Sequence, residues 1–79
     1  MERKEAQKKY YQELVTQLKV FIKNQKNRVR KLRKIIPKID DVKVRNFHKK
    51  QLKGVRKELK AHKMLLEKAE KKLNEIDKE

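Results

Sequence analysis

Apolar residues recur along this chain at alternating intervals of three and four. In the first half Tyr11, Val15, Leu18, Ile22, Val29, Leu32 and Ile36 follow that pattern, with Gln25 the one polar member. In the second half Leu52, Val55, Leu59, Leu66, Ala69, Leu73 and Ile76 do the same, with His62 the exception. Each run covers more than three heptads. That spacing keeps one face of an α-helix turned toward a partner helix. The pattern predicts an all-α chain of two long helices. One spans about residues 3–36 and the other about residues 41–77.

Between the runs lies Ile36-Pro37-Lys38-Ile39-Asp40-Asp41. Pro37 disfavours helix at the residue before it and cannot supply a backbone N–H to a helical ladder. Asp40 is expected to cap the second helix, with Asp41 in the first turn against the helix dipole. With that cap, Ile39 and Val44 stand at the two ends of a hydrophobic staple. A turn over 37–40 joins the helices into one antiparallel coiled-coil hairpin that occupies residues 1–79 as a single domain. Folding about the middle of 37–40 pairs residues whose numbers sum to about 77. Val15 then faces His62, Leu18 faces Leu59, Ile22 faces Val55 and Gln25 faces Leu52, while Val29 and Leu32 face His48 and Arg45. The competing architecture is one helix kinked at Pro37 that pairs between chains.

Labelling the seam a and d sorts the remaining positions onto two sides. The e and b positions are Lys19, Lys23, Lys26, Arg30 and Arg33 on the first helix, and Lys49, Lys53, Arg56, Lys60 and Lys63 on the second. All are basic, and in an antiparallel pair they border the same side of the seam. The g positions border the other side and include Leu14, Phe21, Ile35, Val44 and Leu65. An a, d and g stripe is wider than a two-stranded seam needs and is typical of bundles. The simplest cover for it is a second copy, giving a four-helix bundle.

Charge sharpens this picture. The chain has 79 residues and a formal net charge of +15. Residues 14–57 hold 16 Lys or Arg against 2 Asp, whereas residues 58–79 hold 6 of each sign. A surface meant only to keep the protein in solution would mix the signs throughout. A one-signed face repels itself, and a polyanion relieves that repulsion. The expected partner is therefore nucleic acid, DNA or RNA, gripped through phosphates by the ten e and b residues. The alternative is a module that docks an acidic or helical protein partner. Phe47, beside the basic face, is the candidate for stacking on a base, and Tyr11 belongs to the seam.

Other chemistry finds little support. There is no Cys, no Ser, one Gly and one Thr. Enzymatic activity, a cofactor and a small-molecule substrate are not expected. His48 and His62 lie 14 residues apart, about 21 Å along one helix, too far to share a metal. Gln25 is expected either to fix register and partner number or to sit half-exposed. Gly54, off the seam, costs about 1 kcal/mol in mid-helix relative to Ala. No signal-like apolar region opens the sequence, and no run reaches the length of a membrane span. The expectation is a soluble cytoplasmic protein, associated with a nucleoid or a ribonucleoprotein and not with a membrane.

Overall fold

Two helices and a short connecting turn account for residues 2–78, which the computed structural model describes; Met1 and Glu79 of the expected domain lie outside the described residues. Helix α1 spans Glu2–Ile35, a 3-10 turn spans Ile36–Lys38, and helix α2 spans Val42–Lys78. The helices lie antiparallel in a rod whose backbone measures 60 × 14 × 14 Å. The hairpin therefore prevails over a single kinked helix.

All sixteen seam positions are covered. Val15, Leu18, Ile22, Gln25, Leu32, Ile36, Val55, Ala69 and Ile76 are buried, and Tyr11, Val29, Leu52, Leu59, His62, Leu66 and Leu73 are half-buried. Burial of each Leu, Ile or Val contributes on the order of 1.5–3 kcal/mol at most. The core is divided. Val15, Leu18 and Ala69 pack with Tyr11, Leu14 and Leu66 toward the chain ends. Leu32, Ile36 and Val55 pack with Val29 and Leu52 toward the turn.

A polar layer separates the two clusters. Gln25 Nε2 donates to Glu58 Oε2 at 3.3 Å, and His62 Nδ1 donates to Gln25 Oε1 at 3.0 Å. The amide carbonyl only accepts, so the proton of His62 sits on Nδ1. Phe21 lies against the same imidazole, with ring centroids 5.3 Å apart.

These contacts correct the expected register. Pairs in contact have residue numbers that sum to between 83 and 87, as in Gln25–Glu58, Phe21–His62, Lys8–Asp77 and Gln25–His62. Val15 meets Ala69 rather than His62, and Leu18 packs in the same cluster with Leu66. The offset from about 77 is close to one heptad, so the same two faces still meet, but one repeat further along. The polar residues explain the choice. In the expected register Gln25 would face Leu52 and His62 would face Val15. Each stranded polar group costs about 1–3 kcal/mol. In the observed register the two satisfy one another.

The turn accommodates the slide. α1 ends at Ile35, but Ile36–Lys38 continue as a 3-10 turn that tolerates Pro37, and Ile39 N donates to Ile36 O at 3.2 Å. The chain then reverses across Ile39–Asp41. The helix cap is Asp41, not Asp40: Asp41 Oδ1 accepts from the backbone N–H of Lys43 at 2.9 Å and of Val44 at 3.2 Å. Moving the cap by one residue removes the expected staple, since the fourth helical position is now Arg45 and Val44 is exposed. Arg45 uses this position to clamp the turn. Its Nε donates to Ile39 O at 3.0 Å and its Nη2 to Asp40 O at 3.4 Å. At the far end Lys8 Nζ lies 2.9 Å from Asp77 Oδ1. That hydrogen bond, reinforced by the carboxylate charge, holds the ammonium above its ordinary pKa.

Asp41→Ala should lower stability by about 1 kcal/mol, and Asp40→Ala by a few tenths at most, in chemical denaturation followed by circular dichroism. Equal losses would contradict the assigned cap. Gln25→Leu should cost about 1–3 kcal/mol because it leaves the His62 N–H without its acceptor. Adding His62→Leu should recover most of that loss, and simple additivity would argue against the pairing.

Candidate nucleic-acid interface

All ten e and b cations are exposed along one side of the rod. Their two runs, Lys19–Arg33 on α1 and Lys49–Lys63 on α2, have their midpoints at residues 26 and 56. In the observed register those midpoints are offset by about two residues. In the expected register the runs would be staggered by five residues. The one-heptad slide therefore brings the two runs closer to level, into one block about 21 Å long by the helical rise and two helices wide. The block lies in the turn half of the rod, from about 10 Å beyond the reversal to about the rod's midpoint.

Within the block this side carries no acid; beyond it Glu67, Glu70 and Asp77 hold b and e positions toward the chain ends. Glu58 is the only acid in 14–39 or 42–66. It occupies a g position and bonds to Gln25 on the far side of the seam. Among the described residues, the ion pairs are Lys8–Asp77 and Lys72–Glu75, and neither involves any of the ten. Helix α1 contributes Lys26, Arg30, Arg33 and Lys34 to the rim of a shallow groove lined also by Val29 and Leu59. Their aliphatic stems cover apolar seam while the charged ends reach into solvent.

The remaining candidates are distributed differently. Phe47 is 59% exposed near the turn, edge-on to His48. His48 Nδ1 donates to its own helix at Val44 O, 2.8 Å away. Tyr11 is half-buried in the cluster toward the chain ends, with Tyr10 edge-on to it at 5.2 Å. Thr16 Oγ1 donates to Gln12 O within its own helix. Of the g residues, Leu14 and Leu65 border one groove with Leu18, and Phe21 and His62 extend it toward the middle of the rod. Ile35 and Val44 lie toward the turn, beyond the stretch where Arg28 and Glu58 flank Gln25. The apolar side is thus concentrated at Leu14, Phe21 and Leu65, the last two 58% and 53% exposed.

Sequence reasoning missed the Gln25–His62–Glu58 layer and the Arg45 clamp. A signal for the first was present: each seam has one polar interruption, and the register that joins them is the observed one. No helix among the described residues is long and apolar enough to cross a membrane. Comparison with models of protein families, with curated proteins and with solved structures returned no match.

Gly54 sits exposed between the cations of α2, and a Cβ built there meets nothing within 4 Å. Its φ is not positive, so nothing in the backbone requires Gly. Gly54→Ala should raise stability by about 0.5–1 kcal/mol in thermal or chemical denaturation. No gain would mean that the helix is already relaxed at this point.

Proposed function

We propose that this protein binds nucleic acid by laying its ten-cation side across phosphates. The observation that supports the reading most is the overlap of two cationic runs on one side of the seam, with Glu58, the one acid within either run, held to the other side. Held this way, like charges repel across the seam, and a polyanion offsets that cost while releasing counterions. Seven of the ten are Lys, whose compact charge on a flexible stem suits phosphate contact rather than bidentate base reading. The backbone of the rod is 14 Å across, before side chains are counted. That is wider than the major groove of B-DNA, at about 12 Å, so the hairpin fits against backbones rather than inside a groove. Binding is expected to depend weakly on sequence, and the reading implies association with a nucleoid or a ribonucleoprotein. Apolar exposure at Phe21 and Leu65 favours a second contact, with protein, on the opposite side. Its simplest occupant is another copy of this chain, giving a four-helix bundle.

Titration against duplex DNA, duplex RNA and single strands at several salt concentrations tests the first contact. With five to seven phosphates engaged, log K on duplex DNA should fall with log salt at a slope of about −4.5 to −6. Lys26→Glu, Arg30→Glu, Arg33→Glu, Lys53→Glu and Arg56→Glu should each flatten that slope by about 1. Absence of binding at low salt would overturn the proposal. If Phe21→Ser and Leu65→Ser abolish function while the charge reversals do not, protein docking replaces it.

A further inference from the structure

We infer that a second copy of this chain covers the groove of Leu14, Phe21, Leu65 and His62, packed antiparallel so that the two turns lie at opposite ends. The inference stands apart from the proposed nucleic-acid contact, which uses the other side of the rod. Area is its first ground. The chain exposes 7014 Å². A compact monomer of its mass, 9.7 kDa, would expose about 5,100 Å². The excess of about 1,900 Å² falls within the 1,000–2,500 Å² or so that one partner contributes to an obligate interface. Among the described residues no side chain is fully buried. An elongated rod exposes part of this excess by its shape, and the apolar residues Phe21 and Leu65 lie within the exposed surface.

The groove is also suited to pairing with itself. Taking Val42 as the point of reversal, Phe21 and Leu65 stand 21 and 23 residues away, about 31 and 34 Å along the axis. The rod is 60 Å long. Both residues thus lie near its midpoint, where a two-fold axis brings a patch onto its own copy. Leu14, 28 residues or about 42 Å from the reversal, then meets the partner about 22 Å from the partner's own reversal, against the aliphatic stems at the Arg28 and Glu58 positions.

Charge selects the orientation. Residues 14–57 hold +14, whereas the segments 1–13 and 58–79 are close to neutral and contain nine of the eleven acids. With both turns at one end, the two cationic halves would lie side by side. With turns opposed, each copy sets its acid-bearing end beside the partner's cationic half. Arg28 and Glu58 on this side add one charge of each sign near the middle.

The full chain should sediment at twice 9.7 kDa in moderate salt, and Leu65→Glu or Phe21→Glu should return it to a monomer or lower the dimer population at least tenfold. A monomer across the micromolar range with full helicity would overturn the inference. So would a dimer indifferent to both substitutions. Phe21 touches His62, so its variant disturbs the hairpin as well; an independent measurement avoids that difficulty. The chain has no Cys, so Lys38→Cys provides a single spin-label site at the exposed turn. Opposed turns predict a label-to-label distance near 50 Å, from the 60 Å rod less about 6 Å at each end. A distance under about 25 Å would mean turns side by side and would overturn the orientation. A vesicle or another protein that binds the groove only when the chain is monomeric would identify a different occupant and overturn it equally.

Discussion

The hydrogen bond between Gln25 and His62 is the constraint on which the rest of this hairpin depends. A heptad seam is degenerate, because sliding one helix by seven residues presents the same kinds of position to one another. Apolar packing alone gives little preference among such arrangements. Burying an amide and an imidazole opposite aliphatic side chains raises the energy of the wrong ones, while pairing them lowers the energy of the right one. The polar layer contributes little net attraction compared with the Leu and Val layers around it. Its role is discrimination, and it sets where the turn, the ion pair at Lys8 and the surface charges all come to lie.

The surface follows from that choice. The cationic runs were never constrained to meet by helix periodicity, which decides only the side on which they fall. Their overlap along the axis depends on the register, and so on one glutamine and one histidine. The seam thereby tolerates a row of like charges on its e edge, with Glu58 held to the opposite edge by the same glutamine. A chain selected for hairpin stability alone would place opposite charges across these positions, where i, i+4 and interhelical pairs add a few tenths of a kcal/mol each.

The helices, the buried face of each and the side on which the cations fall were legible in the spacing of residues such as Val15, Leu18, Val55 and Ala69, because burial phase follows directly from the 3.5-residue period. The register was not, since the period repeats and turn chemistry decides it only if the cap is known. Two neighbouring aspartates made that ambiguous: Asp40 and Asp41 are equally good caps in isolation. The 3-10 continuation through Pro37 settled the matter by carrying the chain three residues further before it reversed. The e and b residues could be assigned to one side, but whether they form a block or a stagger depended on the same unknown. Matching Gln25 to His62 would have resolved both.

Because the cationic and apolar sides stand back to back on a rod whose backbone is 14 Å thick, occupancy of one leaves the other open. Two copies joined through their apolar sides would carry their cationic sides outward in opposite directions, roughly two rod widths apart. Such an assembly is bivalent. A strand held on one side raises the effective concentration of a second strand, or a distant part of the same one, only if it can bend round to the other. The pair would then act as a clasp between segments rather than as a coat along one, and its efficacy would depend on the stiffness and length of the polyanion more than on its sequence.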